Sequence, residues 1–518
     1  MSGRLYMAEI LAPGVALFDY DGDGDLDVYL VQGRPLAVAN GRLAEANGEG
    51  GLSEDRLYRN DLKDGVLRFT DVTKDSGIDS RGYGMGVAAG DFDNDGRTDL
   101  YLTRFDAPNQ LLRNNGDGTF RDVSRASGTD HRSWSSSAAF VDVNRDGWLD
   151  LYVVNYLRYS LASEAPCFNA AGARAYCMPQ AFPPVSDRLY VNQRDGTFAD
   201  VSAISGIARE AAPGLGIATA DFDRDGWIDI YVANDGRENQ LWRNRHDGTF
   251  ENVALQAGVA LPATGRAEAS MGADAGDIDD DGDEDLVVTE LTGEGANLFV
   301  NDGTGTFEDR GTASALGPAT LPFTGFGAAW IDADHDGRLD LAVVNGTVQI
   351  IERLRQEGDP FPLHQRRQLF RNAGGGRFEE VTGAGAAFGQ SEVGRGLAVG
   401  DVDNDGDADL LVGNNNGPVR LLINQAPRQH WVGVRLAGAS GRDMLGARIE
   451  VSAAGTSRWR RARADGSYLS ANDPRVLVSL GASAEPPVAR VTWPGGRTET
   501  FASIPIDRYT TLVEGGGR

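Results

Sequence analysis

The chain has 518 residues and a formal charge of −27, so it exceeds the usual limit of one hydrophobic core. It also lacks the surplus of Lys and Arg that displaces counterions from a phosphate backbone, which argues against nucleic acid as a partner. Its 41% hydrophobic content is that of a folded protein, so the acidity does not mean disorder and the carboxylates must be gathered somewhere.

No run of about eighteen apolar residues occurs, so no transmembrane segment is predicted. The opening Met-Ser-Gly-Arg-Leu-Tyr-Met lacks the charged start, apolar stretch and cleavage site of a signal peptide, and reads as cytosolic, truncated or already processed. A repeated acidic loop, Asp-x-Asp/Asn-x-Asp-Gly-x-x-Asp, then recurs along the chain. Positions 1, 3, 5, 7 and 9 of the first copy are Asp19, Asp21, Asp23, Asp25 and Asp27. An acidic, Gly/Ala-rich insertion, 33 to 56, follows it. A small-residue strand, 86 to 90, leads into the second copy: Asp91, Asp93, Asp95, Arg97 and Asp99. The segment 111 to 123 carries an Asp-Gly turn and reads as a β-hairpin.

The third copy is Asp142, Asn144, Asp146, Trp148 and Asp150, with Asn144 in place of a carboxylate. A Pro-containing insertion, 158 to 188, holds the two cysteines of the chain, Cys167 and Cys177. A disulfide between them is expected, and a zinc site is not, because no His lies nearby. Hairpins of the same type recur at 189 to 201 and 241 to 253, on either side of the fourth copy: Asp221, Asp223, Asp225, Trp227 and Asp229. The fifth is Asp277, Asp279, Asp281, Asp283 and Asp285, and the sixth Asp332, Asp334, Asp336, Arg338 and Asp340. After a mixed-charge insertion, 353 to 367, the seventh is Asp401, Asp403, Asp405, Asp407 and Asp409. Successive starts are 72, 51, 79, 56, 55 and 69 residues apart, a unit of propeller-blade length carrying insertions.

Carboxylates at positions 1, 3, 5 and 9 converge on one point and position 7 adds a backbone carbonyl, an all-oxygen set that suits Ca²⁺. That position 7 tolerates Asp, Arg and Trp agrees with use of its carbonyl alone. The invariant Gly at position 6 permits the sharp turn. An EF-hand shares these nine positions but requires Glu at position 12; here that position is Leu30, Leu102, Val153, Val232, Val288, Val343 and Val412, all residues that favour strands. Seven loops carry 27 carboxylates, which would repel strongly without cations, and seven Ca²⁺ would move the formal charge from −27 to −13. The third loop, one carboxylate short, is expected to bind more weakly.

The sequence therefore predicts an all-β chain: a seven-bladed β-propeller with calcium-binding loops over residues 1–428, and a small β domain over 429–518. The repeats resemble the FG-GAP/VCBS repeats of integrin α-type propellers over about residues 8 to 425. The motifs at 429 to 436, 446 to 451, 466 to 475 and 491 to 496 resemble the ASPIC/UnbV domain. The combination resembles a family that includes the cartilage acidic protein group, bacterial secreted proteins and a protein of enediyne antibiotic clusters. Members of that family usually carry an upstream strand that helps close the ring. This chain begins almost at the first blade, so either its start is truncated or closure is expected to use the segment after Leu422, with the strand at 431 to 436.

No His-Glu-x-x-His, Gly-x-Ser-x-Gly or P-loop occurs, and the five histidines, His131, His246, His335, His364 and His430, form no catalytic pattern. A binding or adhesion protein stabilised by structural calcium, with a protein or small-molecule ligand and a secreted or periplasmic location, is the first expectation. The enediyne-type relatives imply an alternative, an enzyme or carrier for a hydrophobic polyene-type intermediate. An open, aromatic-lined channel would favour the second and an exposed apolar patch the first. Trp148 and Trp227 are expected to project from their loops, toward a ligand or a neighbouring loop. Arg458, Arg460, Arg461 and Arg463 around Trp459 read as a solvated strand face, with an anion-binding or propeller-docking face as the alternative.

Overall fold

Each acidic loop joins two strands of an antiparallel pair. In the computed structural model, which describes residues 4–34, 36, 38–39, 42–43, 54–80, 82–162, 165–169 and 172–518, this pair opens every repeat. Sheet 1 comprises Val15–Phe18, Asp27–Leu30, Arg56–Asn60 and Phe69–Asp71. Sheet 2 is Tyr83–Gly90, Asp99–Phe105, Gln110–Asn114 and Phe120–Asp122, and sheet 3 is Ser135–Val141, Asp150–Asn155, Arg188–Asn192 and Phe198–Asp200. Sheet 4 is Gly214–Ala220, Asp229–Asn234, Gln240–Asn244 and Phe250–Asn252, and sheet 5 is Ala273–Gly276, Asp285–Val288, Asn297–Asn301 and Phe307–Asp309. Sheet 6 is Gly325–Ile331, Asp340–Asn345, Gln368–Gly374 and Arg377–Glu380. Sheet 7 has three strands, Gly394–Gly400, Asp409–Asn414 and Arg420–Leu422. The result is a propeller-like, all-β fold.

One side chain per sheet links it to the sheet before. An Asn at the end of the third strand, or within two residues of that end, donates from Nδ2 to the carbonyl of the second loop residue of its neighbour. Asn114 reaches Tyr20 at 2.7 Å, Asn192 reaches Phe92 at 2.8 Å and Asn244 reaches Val143 at 2.8 Å. Asn301, Asn372 and Asn424 reach Phe222, Ile278 and Ala333 at 2.8, 2.9 and 3.2 Å. Asn60 of sheet 1 reaches Val402 of sheet 7 at 2.8 Å, so the circuit closes on itself. Between the sheets lie apolar layers such as Phe222, Tyr231, Phe299 and Phe307, all buried. Each such side chain adds about 1.5–3 kcal/mol by leaving water.

The innermost strands crowd the axis, which is why they are rich in Gly and Ala. A Cβ on Gly272 would lie 2.1 Å from the Phe326 carbonyl oxygen, so no larger residue fits there.

The strand at His430–Ala437 does not complete sheet 7, contrary to the expectation from sequence. Both of its edges are used: it pairs antiparallel with Val476–Gly481 and parallel with Tyr509–Val513. Its apolar residues Val432, Val434 and Leu436 lie in the core of the C-terminal domain with Ile449, Val491 and Trp493. A second sheet, Thr456–Arg461, Arg448–Ala453, Val488–Thr492 and Thr498–Phe501, completes that domain. The ring is sealed instead by residues ahead of sheet 1. Gly396 N donates to Pro13 O at 3.0 Å, and Asn415 Nδ2 donates to the carbonyls of Glu9 and Ala12 at 2.7 and 2.8 Å.

Candidate metal centres

Every acidic loop is wound by two residues in the left-handed region. At position 4 these are Gly22, Asn94, Arg145, Arg224, Asp280, His335 and Asn404, with φ between 55° and 80°. At position 6 Gly is used each time, with φ between 83° and 95°. This winding aims backbone N–H groups at carboxylates. The position 6 N–H donates to the position 1 carboxylate in all seven copies, from Gly96 to Asp91 at 2.7 Å up to Gly24 to Asp19 at 3.0 Å. The position 7 N–H donates to the position 5 carboxylate in all seven, at 2.9 to 3.1 Å. The position 9 Asp ties the loop to the third strand, as Asp27 does by accepting from Tyr20 N at 2.9 Å and Asn60 N at 2.8 Å.

The remaining oxygens face inward. Oxygens of Asp19, Asp21 and Asp27 lie within 4.8 Å of one another, and the same holds for Asp91, Asp93 and Asp99, for Asp221, Asp223 and Asp225, for Asp277, Asp279 and Asp281, and for Asp332, Asp334 and Asp336. Several are buried with no hydrogen-bond partner: Oδ1 of Asp93, Asp221, Asp332 and Asp403. Burial is the leading cause that pushes these carboxyls up, Asp91 and Asp221 to about 6, Asp277 and Asp401 to about 7, and Asp27, Asp285 and Asp409 to about 8. Orphaned, desolvated carboxylate oxygens with no nitrogen or sulfur among them fit a hard divalent cation. In the third loop Asn144 spends its Oδ1 on Asp146 N at 3.0 Å.

The loops touch one another in order around one face. Asn94 Nδ2 donates to Gly147 O at 2.9 Å, Arg224 Nη2 to Asp281 O at 2.8 Å, and Asn404 Nδ2 to Asp25 Oδ1 at 2.7 Å. His335 Nε2 lies 3.0 Å from Asp407 Oδ1. Trp227 stacks on His246 with ring centroids 4.8 Å apart and sits under Arg145 at 5.3 Å, so it packs within the face. Trp148 is half-buried.

On this face rests the C-terminal domain. Residues 429–518 carry net +4 while 1–428 carry −31, and the arginines meet the loops. Arg458 Nη1 donates to Asp280 Oδ2 at 2.7 Å, Arg460 Nη2 to Gly337 O at 2.9 Å, Arg461 Nε to Glu284 Oε1 at 2.9 Å and Arg463 Nη2 to Asp274 Oδ2 at 2.8 Å. The cluster that read by default as a solvated face is thus a docking face, because the unpaired acidity of the loops lies opposite it. Arg475 extends the same pattern, reaching Gly24 O at 3.1 Å and Asp401 O at 2.9 Å beneath the Tyr509 ring.

Sequence reasoning missed what fills the axis. Residues 465 to 473 leave the C-terminal domain and thread the ring, satisfying innermost-strand groups that would otherwise face a channel. Thr219 N donates to Asp465 Oδ2 at 2.6 Å, Ala273 N to Ser467 O at 3.0 Å, Val87 N to Leu469 O at 3.0 Å, Leu17 N to Ala471 O at 3.1 Å and Val399 N to Asn472 Oδ1 at 3.0 Å. At the tip, fully buried Tyr468 meets Phe326 edge to face at 4.9 Å and donates to Leu11 O at 3.0 Å. The far mouth is an apolar cluster that includes Tyr83, Phe105, Trp134, Tyr156 and Met271. Arg395, buried among them 3.8 Å over Phe326, is pushed down to about 9 by burial.

All three insertions reach this far mouth, the first through Leu36. The second contributes Leu161 and the third Phe361 and Leu363. Cys167 and Cys177 are joined, with sulfurs 2.00 Å apart. Most of the first insertion, 33 to 56, lies outside the described residues.

Among the described residues no helix is long and apolar enough to cross a membrane. The FG-GAP-like repeat family matches residues 19–102, 91–153, 181–232, 221–288, 277–343 and 364–412, and the ASPIC and UnbV family matches 437–518. Cartilage acidic protein 1 of Mus musculus is 24% identical over 97% of this chain and 73% of its own length. The Xenopus tropicalis protein of that name is 25% identical over 64% of this chain, and the alignment spans 57% of the frog protein. Among solved structures, the BP39L lectin from Burkholderia pseudomallei aligns over 80% of this chain and 95% of its own, at 12% identity and a TM-score of 0.44. An Agrocybe aegerita lectin described as recognising terminal N-acetylglucosamine aligns over 80% and 94%, at 17% identity and a TM-score of 0.39. The two family models together span most of the chain: it belongs to the FG-GAP-like repeat family and ends in an ASPIC and UnbV domain.

Proposed function

We propose that the chain is a seven-bladed, calcium-stabilised propeller that acts by binding a ligand or protein outside the cytosol. One observation carries the calcium reading: the same amide-to-carboxylate pattern recurs in seven loops, and in several of them it leaves buried carboxylate oxygens without a partner. When bound, the ion supplies charge neutralisation and crosslinks each loop; the chain itself positions the oxygens through the position 6 and position 7 amides. The Cys167–Cys177 pairing and the need for abundant calcium both support an extracytoplasmic setting.

The binding surface is placed, on this reading, at the far mouth and its insertions, because the loop face is covered by the C-terminal domain. Phe168 and Met178 stand exposed there, at 62% and 47%. An enzyme or carrier for a hydrophobic polyene-type intermediate would need an open axis, and Tyr468 and Leu469 occupy it.

Removal of calcium tests the reading. At a free concentration a hundredfold above the dissociation constant each site adds about 2.7 kcal/mol. Seven such sites in one cooperative transition correspond to a melting temperature roughly 15 °C higher than in chelator. A melting temperature that does not change on chelation overturns the proposal.

A further inference from the structure

The acidic loops divide their positions between two uses. The odd positions, 1, 3, 5, 7 and 9, hold the candidate metal oxygens. Arginines of the C-terminal domain settle on the even ones, with Asp401 O as an added backbone acceptor. Position 6 is the usual foothold: Arg475 Nη1 donates to Gly24 O at 3.1 Å, Arg460 Nη2 to Gly337 O at 2.9 Å, and Arg448 Nη2 to Gly282 O. Two more position 6 glycines are pressed by the domain. A Cβ on Gly96 would lie 2.7 Å from Ser440 O, and one on Gly406 would strike the Trp431 indole. Positions 4 and 8 add side chains: Asp280 accepts from Arg458 at 2.7 Å, Asn404 Oδ1 from Arg475 at 2.9 Å and Glu284 from Arg461 at 2.9 Å.

Among the described residues no arginine of the C-terminal domain pairs with a carboxylate at an odd position. The domain's contacts there are uncharged, as where Tyr509 OH donates to Asp401 Oδ2 at 3.0 Å. The propeller's own arginines behave differently: Arg113 lies 2.5 Å from Asp93 and Arg243 3.1 Å from Asp223. A cation and the domain can therefore share a loop, and both need it wound, because position 6 presents its carbonyl with φ between 83° and 95°. The docking contacts also bracket the segment in the axis. Residues 465 to 473 leave the domain between Arg461 and Arg475, and each of these arginines stands on a loop.

We propose, resting on the calcium reading above, that the C-terminal domain is a plug seated by calcium. Filled loops stay wound and present their even positions; loss of the ion unwinds them, frees the domain and draws 465 to 473 out of the axis. Linkage makes the effect reciprocal: calcium favours the seated domain, and the seated domain favours calcium by the same factor.

Two measurements on the full chain test this. Amide exchange followed by mass spectrometry reads the seat, because Leu17, Val87 and Ala273 donate their N–H groups to Ala471, Leu469 and Ser467 of the segment. Chelation is expected to speed exchange in these innermost strands about tenfold or more, while third strands such as Gln110–Asn114, paired on both edges within their own sheet, change less. Calcium titration of the double variant Arg448→Met, Arg460→Met reads the reverse direction. Removing positive charge beside carboxylates would by itself tighten calcium binding. Loss of the two footholds is expected to weaken it instead, by roughly fivefold or more, the lower end for coupled sites; Arg460→Met alone serves if the double variant does not fold. Calcium binding that is tighter or unchanged in the variant overturns the proposal. So does innermost-strand protection that survives chelation, or that is lost equally in the third strands. A wild type that binds no calcium overturns the calcium reading as well, and the titration alone shows that.

Discussion

Tyr468→Ala removes the tip of the segment that threads the ring. The side chain is fully buried and its ring packs edge to face on Phe326 at 4.9 Å. Deleting a large buried aromatic costs about 3–5 kcal/mol, with the lost edge-to-face pair included. Tyr468→Phe keeps the ring and removes only the donor to Leu11 O, at 3.0 Å; a buried carbonyl left without its donor costs about 1–2 kcal/mol. The expected order is therefore wild type, Phe, Ala, with the second step the larger. Urea midpoints give the order, and limited trypsin digestion gives the place. Arg463 and Arg475 flank the segment with side chains only 17% and 10% exposed, so both are expected to resist cleavage in wild type and to be cut early in Tyr468→Ala. If Tyr468→Ala stays within about 0.5 kcal/mol of wild type and remains protected at both arginines, the segment does not hold the ring together.

Arg463→Ala leaves Asp274, which is 1% exposed, without its cation. An uncompensated buried charge of this kind costs about 3–5 kcal/mol, and the double variant Arg463→Met, Asp274→Leu is expected to recover most of it in thermal melts. In chelator, burial raises Asp27, Asp285 and Asp409 to about 8. Their folded values lie above the unfolded value of 3.8, so the stability they contribute is complete below about pH 4 and is lost as pH rises through 8. Melting temperature in chelator should thus fall from pH 5 to pH 8, and calcium should abolish that fall; a metal-free protein that gains stability over this range contradicts the assignment.

The loops were legible because their information is local: nine residues at fixed spacing determine where each carboxylate goes, and seven copies average out chance. The linking asparagines were equally local, as Asn114, Asn192 and Asn244 all precede the Asp-Gly hairpins that the sequence displays. Their acceptors, however, lie about 80 to 340 residues away, and nothing in the repeat says that Nδ2 points to the preceding sheet. The arginines near Trp459 were ambiguous for a similar reason. A basic strand among acidic ones has the same pattern whether it faces water or carboxylates of another domain. The run Gly466-Ser467-Tyr468-Leu469-Ser470 was visible as a motif but not as the filling of an axis, because its partners come from the innermost strands of separate repeats. The strand at 431 to 436 was misplaced since alternation shows that a strand has one buried face without showing which sheet receives it.

The order in which the axis is filled constrains how the chain is made. Val15 N donates to Ser470 Oγ, 455 residues later. At ribosomal speeds of about 5–20 residues per second, roughly 20 to 90 s separate the emergence of the two partners. Throughout that interval the innermost strand of the first repeat presents unpaired backbone to its surroundings, an adhesive edge on a nascent protein. Filling the axis is a terminal event, and premature release or slow elongation near the C-terminus would leave rings whose innermost strands are still uncovered and prone to join one another.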